Sequence, residues 1–488
     1  MVRSISHENS GVPALALAPI LIDTGSGTGA RFLDRELLDR ATQPDYHAWL
    51  AGTAAANGCA RPIRLRGTFR DINPATGEIV RTLDTESLPD GVIYIPCGDR
   101  RASVCSACSE TYRRDTYHLI RAGLTGGKGV PETISAHPCV FATFTAPSLG
   151  PVHTRNARPD GRTARCRPRR KSAMCPHGRR MSCGRRHAES DTSLGRPLCV
   201  DCYDYNAAVV WNVHAPELWR RTTIAIRRHL ACTARAYRAG TVQLSYAKVA
   251  EFQARGLVHF HAIFRLDATG PAGQLAPPSL TADQLAAAIR ATAAATWFAT
   301  VPHPAKPKGW DIRWGRQIDT RVIRLPASGQ TPNVAVASYL AKYATKSTEA
   351  VGSVNCRITA DNVSYHGNPR SHQGRLIRAA WHLGSHNHPD FQALRRWAHM
   401  LGYRGHFATK SRRYSTTLKA LRQARADYHR RQHPSPPNGP GDEAVITDTT
   451  LQWAGTGWRS SGDALLALSA AARARDHERA ARAAAQVP

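Results

Sequence analysis

Leu257-Val-His-Phe-His-Ala-Ile-Phe264 decides the fold, because its pattern is that of a strand whose alternate positions face opposite sides. His259 and His261 share one face and Phe260 takes the other. The run is rich in Val, Ile and Phe, so the strand lies in or against a core. Upstream, Thr241-Val-Gln-Leu-Ser-Tyr246 also alternates, and Arg255-Gly256 supplies a turn just before the second strand. A tight return brings Glu251, eight residues before His259 and at the end of the first strand, alongside the imidazoles. Two neutral imidazoles plus a third donor can hold a divalent cation. Glu251 is the expected third ligand, with Gln253 able to serve in its place. His-x-His alone also describes ordinary strand histidines.

Further elements follow outward from this pair. Val140-Phe-Ala-Thr-Phe-Thr145 reads as a strand ended by Ala146-Pro-Ser-Leu-Gly-Pro151. Residues 215–237 read as an amphipathic helix with Pro216 near its start. Thr281-Ala-Asp-Gln284 is a capping box opening a helix to about Ala299. Trp310 to Arg324 reads as one or two strands, and Asn333 to Lys346 as a helix. Within that helix, Tyr339-Leu-Ala-Lys-Tyr343 puts two phenols on one face, with Lys342 and Lys346 as a second pair at the same spacing. A phenol, with its pKa near 10, is a poor nucleophile. A metal-polarised phosphate and nearby cations make it a useful one. Tyr339 and Tyr343 are therefore candidate nucleophiles and Lys342 and Lys346 candidate charge stabilisers, against the alternative of two tyrosines that merely pack.

The 488 residues carry 66 Lys+Arg against 36 Asp+Glu, a net charge of +30. Such a field favours a polyanion, since bound phosphates release condensed counterions. The excess is clustered. Pro151 to His187 holds twelve Lys/Arg and one acid, Asp160, and Arg370 to Arg431 holds fourteen against Asp390 and Asp427. Both stretches read as phosphate-contacting surface, so DNA is the expected partner. No run approaches the roughly 18–20 apolar residues of a membrane span. The apolar run Val12 to Ile22 has only Arg3 ahead of it and no cleavage pattern, so it is not taken as a signal peptide. The expectation is a soluble, cytoplasmic protein. No Gly-x-x-x-x-Gly-Lys-Ser/Thr loop occurs, so strand separation would need a host helicase.

The twelve cysteines are spaced for metal more than for disulfides. Cys97-x7-Cys105-x2-Cys108 is three-quarters of a zinc site, with Cys59 as the fourth thiolate. Cys175, Cys183 and Cys199-x2-Cys202 form the expected second set, with His177, His187 and Cys166 as alternatives. Residues 151–202 have almost no apolar periodicity, so zinc would supply their folding energy. Cys139, Cys232 and Cys356 read as packing residues. The expected organisation is a loosely ordered segment 1–40, a Cys-rich region 41–135, and a domain 136–350 interrupted by an insertion at 151–205. A basic helical region 351–432, a linker 433–445 and a tail 446–488 with a terminal helix follow.

Phe141-Ala-Thr-Phe-Thr145, Val258-His-Phe-His261 and Tyr339-x-x-x-Tyr343, in that order, resemble motifs one, two and three of the HUH endonuclease superfamily. Within it, the match is to the two-tyrosine replication initiators; relaxases carry their tyrosines near the N-terminus. The Cys-Gly-Asp-Arg-Arg-Ala-Ser-Val-Cys-Ser-Ala-Cys and Pro-Leu-Cys-Val-Asp-Cys-Tyr-Asp-Tyr runs resemble rolling-circle Rep proteins of actinobacterial plasmids and integrative elements, over roughly residues 55–420. The resemblance implies an α+β fold of the HUH-endonuclease, ferredoxin/RRM-like type. An antiparallel sheet is flanked by helices, with a zinc-stapled N-terminal region and insertion. It further implies Mg²⁺ or Mn²⁺ on His259, His261 and Glu251, strand nicking that leaves a 5′-phosphotyrosine and a free 3′-OH, and a host polymerase to extend it. The rival readings are a two-tyrosine HUH transposase and a zinc-containing regulator that binds DNA without cutting it.

Overall fold

The computed structural model describes residues 27–158, 160–169, 173–238, 240–271, 273–324, 337, 354–432 and 446–484. They divide into two compact units. The smaller comprises residues up to Asp99, Val104–Cys108 and residues from Pro440 onward. Two three-stranded antiparallel sheets build it, and each takes one strand from the C-terminal stretch. Gln452–Thr456 pairs with Ile63–Arg66, which pairs with Ile93–Ile95; Ile446–Thr449 pairs with Thr68–Ile72, which pairs with Ile79–Asp84. Gly67 sits where the chain passes from one sheet to the other. Its φ of +137° suits glycine alone, and a Cβ there would lie 2.6 Å from the Thr450 carbonyl oxygen.

Two expectations are corrected here. Residues 446–484 are no separate tail, because their strands complete sheets begun near residue 63 and their helix, Ser461–Ala484, supplies the buried Asp463. Segment 1–40 is not loosely ordered throughout, since Gly27–Ala41 is helical. Arg40 is buried there and donates to Asp463 and Asp90, at 2.7 and 3.0 Å for the closest atoms.

The larger unit is α+β around a five-stranded antiparallel sheet. Its strands are β1 (Cys139–Phe144), β2 (Val242–Phe252), β3 (Val258–Ala268), β4 (Ile318–Val322) and β5 (Ala408–Lys410). The spatial order is β4-β1-β3-β2-β5, which puts the histidine strand in the middle. Val258, Phe260, Ala262, Phe264 and Leu266 face a core formed with helices Tyr205–Ala236, Ala282–Ala295 and His372–Leu383. Each large apolar side chain buried there contributes about 1.5–3 kcal/mol. The opposite face carries the histidines, then Ile263, and packs against Ile120, Leu124 and Tyr414.

The sheet and the Thr281 capping box match the reading from sequence, with shifted boundaries. The helix expected from residue 215 starts at Tyr205, capped by Asp204, and runs through Pro216. A proline inside a helix costs one backbone hydrogen bond. Ala208, Val209, Leu218 and Trp219, on both sides of it, are buried in one core, and that packing outweighs the loss. The helix from Thr281 stops at Ala295 because Trp297–Ala299 turns into a strand paired with Asp311–Arg313. Tyr339, Lys342, Tyr343 and Lys346, the linker 433–445 and the run Val12–Ile22 lie outside the described residues. Among the described residues, no helix is long and apolar enough to cross a membrane.

Candidate functional site

The β2–β3 hairpin creates the site. Its register sets Glu251 opposite His259 and Val249 opposite His261, all on one face. One carboxylate oxygen of Glu251 lies 3.0 Å from His259 Nε2 and 3.3 Å from His261 Nε2. The turn is fixed from below by Asn212, which is fully buried on its helix. Its amide donates to the carbonyls of Gly256 and Leu401, both at 2.9 Å, and accepts from the Val258 N–H at 3.1 Å. Gly256 holds φ +79°, and a Cβ there would meet Leu376 at 2.3 Å. A slip of one residue would carry the histidines to the apolar face, and Asn212 opposes that slip.

Each imidazole is also held from its far side. Thr143 Oγ1, on β1, sits 3.1 Å from His261 Nδ1, and the ring stacks on Phe141 at 5.8 Å. Gln253 Nε2 lies 3.4 Å from His259 Nδ1, while its Oε1 accepts from Arg255 at 2.8 Å. Gln253 is therefore on the outer side of the ring, a neighbour of the site and not the substitute for Glu251 that the sequence allowed. Arg255 also donates to the Ala146 and Pro147 carbonyls, tying the turn to the end of β1. Two imidazole nitrogens and a carboxylate converging on one point, backed by outer partners, is a donor set suited to a hard-to-borderline divalent ion.

Ala337 is the described residue nearest the tyrosine pair in sequence. It is helical, fully buried, and packs in the cluster of Ile263, Val249 and Ala247 on the histidine face of the sheet. Tyr414 cannot act as a nucleophile, since it is fully buried with its hydroxyl donated to the Ile120 carbonyl and burial pushes the phenol well up. Tyr246 packs against Trp219 in the apolar core.

The cysteines form three Cys/His groups. Cys59, Cys97, Cys105 and Cys108 converge in the smaller unit, with Sγ–Sγ distances of 3.6 Å for Cys97–Cys108 and 3.7 Å for Cys59–Cys105. A tetrahedral ion with bonds of about 2.3 Å to sulfur needs an S–S edge of about 3.8 Å. Hydrogen bonds from Cys108 and Cys59 hold the Cys105 thiol far below its ordinary range, while Cys108 is pushed up to about 12 by its bond to Cys105. A thiolate at Cys105 is thus stabilised by hydrogen bonds from neighbouring thiols that keep their protons, a role that a cation would take over. Cys175, Cys199 and Cys202 meet His177 in a second group. Cys183, expected in that set, belongs instead to a third group with His153, Cys166 and His187. Burial pushes the Cys175 thiol up, but the amides of Arg179 and His177 and the thiols of Cys199 and Cys202 outweigh it and bring it to about 6. His153 was missed because it has no Cys-x2-Cys partner to mark it. Thr143 and Asn212 were missed because long-range pairing alone brings them to the site.

The arginines of the insertion are largely exposed, and Arg158, Arg162, Arg165 and Arg186 line one concavity. Among the described residues these four make no ion pair, so they are available to phosphate. Arg370, Arg378, Arg395, Arg396 and Arg412 are exposed as well.

The profile of the RepSA family, described as "Replication initiator protein, pSAM2", matches residues 45–472. A replication initiator protein of Streptomyces ambofaciens is 42% identical over 450 residues, covering 89% of this chain and 92% of its own length. No solved structure matches the chain.

Proposed function

Because the chain belongs to the RepSA family of replication initiators, we propose that it starts rolling-circle replication by nicking one DNA strand with a tyrosine at an HUH-type site. Support comes chiefly from the convergence of His259, His261 and Glu251 within hydrogen-bond distance of one another on the central strands. Ala337, on that same face, precedes Tyr339 by two residues and Tyr343 by six. His259, His261 and Glu251 would hold Mg²⁺ or Mn²⁺, which when bound withdraws charge from a phosphate oxygen.

The chain's own groups do the rest. A phenolate oxygen of Tyr339 or Tyr343 attacks the scissile phosphorus; a tyrosyl O–P bond forms and the P–O3′ bond breaks. The 3′ oxygen leaves as a hydroxyl after taking a proton, and a polymerase can extend it. No phosphate ester is lost, so the second tyrosine can repeat the exchange and later close the circle. Lys342 and Lys346 stabilise the charge that develops on the phosphate. The exposed arginines hold the backbone and fix its register without reading sequence. A host helicase separates the strands. The Cys59, Cys97, Cys105 and Cys108 group holds zinc as a structural ion.

The test is incubation of the full chain with end-labelled single-stranded origin DNA and Mn²⁺, followed by denaturing gels. A covalent adduct should form, its peptide should contain Tyr339 or Tyr343, and the Tyr339→Phe/Tyr343→Phe double variant should form none. An adduct in the double variant overturns the assignment, and DNA binding without any adduct in the wild type favours a non-cutting regulator.

A further inference from the structure

The ligands of the second and third Cys/His groups alternate along the chain. His153 and Cys166 belong to one group, Cys175 and His177 to the other, Cys183 and His187 to the first again, and Cys199 and Cys202 to the second again. We propose that residues 151–205 form a cross-braced module that binds two zinc ions, one on His153, Cys166, Cys183 and His187, the other on Cys175, His177, Cys199 and Cys202.

The geometry of the first set fits a tetrahedral ion. With zinc bonds of about 2.05 Å to nitrogen and 2.3 Å to sulfur, the tetrahedral edges are about 3.3 Å for N–N and 3.5 Å for N–S. His153 Nδ1 lies 3.2 Å from His187 Nε2, and Cys183 Sγ lies 3.5 Å from the same nitrogen. The outer partners are in place too. His187 Nδ1 lies 2.7 Å from Asp191 Oδ2, and Asp191 Oδ1 accepts from the Ser193 N–H and hydroxyl at 2.9 and 2.7 Å. A carboxylate behind Nδ1 fixes the proton there and leaves the Nε2 lone pair directed at the group. The Thr154 N–H donates to Cys166 Sγ at 3.2 Å. In the second set, His177 Nδ1 stands 3.3 Å from Cys202 Sγ and 3.8 Å from Cys199 Sγ.

The stretch has little else to hold it. Its described strands are the two-residue pair Asn156–Ala157 and Thr163–Ala164, and among the described residues its buried apolar side chains, apart from Val152, Pro197 and Tyr203, are Cys166, Cys183 and Cys199. Ordering some fifty residues costs far more than so few apolar contacts return. Metal bonds supply the difference. The interleaving then has a consequence that two successive fingers lack. Each ion closes a loop containing a ligand pair of the other, so neither site survives the opening of its partner.

The experiment is elemental analysis of the full chain purified without chelators, with cobalt substitution as a second measurement. Wild type should hold about three zinc ions, counting the Cys59 group. Cys183→Ser should fall to about one, because both ions of the module go together, whereas Cys105→Ser should lose one and leave the module. His187→Cys keeps four ligands, so it should retain three ions and, with cobalt, gain one thiolate's charge-transfer absorption. A wild-type content of two that is unchanged in Cys166→Ser and His187→Ala overturns the third site. A Cys183→Ser protein that keeps two ions overturns the cross-brace.

Discussion

Replacing Lys248 with methionine should stabilise the chain, and the gain should vanish in alkali. Lys248 lies on β2 but on the face away from the histidines, 4% exposed, with Nζ 4.2 Å from the centre of the Phe260 ring and 5.7 Å from that of Trp219. Among the described residues it makes no ion pair. Burial pushes its ammonium from 10.5 down to about 7. An amine harder to protonate in the fold than in the open chain costs stability wherever the open chain would hold the proton. That cost is full below about pH 7, shrinks as pH rises from there, and is gone above 10.5. At about 1.4 kcal/mol per pH unit, the full cost is about 4–5 kcal/mol. A methionine of similar length fills the same space without it. Urea midpoints followed by tryptophan fluorescence at pH 6, 8 and 10 will measure the difference between the two proteins. Groups common to both cancel in the comparison. A gain of several kcal/mol at pH 6 that falls below 1 by pH 10 is expected. A destabilised variant at pH 6, or a gain indifferent to pH, refutes the argument.

Other consequences are equally open to measurement. His259→Ala or His261→Ala should abolish nicking while leaving DNA affinity within a few fold, because the phosphate contacts proposed above lie on the exposed arginines; an alanine variant that cuts at the wild-type rate would remove the metal assignment. Thr143→Val withdraws the oxygen 3.1 Å from His261 Nδ1, so Mn²⁺ affinity in calorimetry should drop about 10–100-fold and nicking should return with excess Mn²⁺. Asn212→Leu strands two carbonyls and an N–H; at about 1–3 kcal/mol for each buried unpaired group, a loss below 1 kcal/mol in denaturant titration would contradict its role as the pin of the hairpin. Asp463→Ala leaves Arg40 with Asp90 as its remaining carboxylate partner, and limited proteolysis should cut residues 27–99 first.

The histidine strand was legible because a period of two needs no partner to be recognised, and Glu251 followed from the length of the return. The Thr281 cap was equally local, a hydroxyl and an amide three residues apart. Pro216 misled because single-residue preference cannot anticipate how much packing a long helix gains on either side. Cys183 was assigned to the wrong neighbours for a related reason. Spacing reports which ligands are close in sequence, while an interleaved pair of sites joins ligands that are far apart. The C-terminal strands were illegible as sheet members because Ile446–Thr449 and Gln452–Thr456 are short and exposed, and their partners lie at the other end of the chain.

That last pairing bears on how the protein is made. Ile63–Arg66 and Thr68–Ile72 emerge from the ribosome early, yet their partners arrive about 375–390 residues later. At about 5–20 residues per second, the early strands wait roughly 20–80 s with open edges, during which the sheet around His259 can already close. A message cut short between residues 410 and 446 would therefore yield a chain with its central sheet assembled but its first unit unfinished and exposed to proteases. Completion of the smaller unit acts as a seal that only full translation can set.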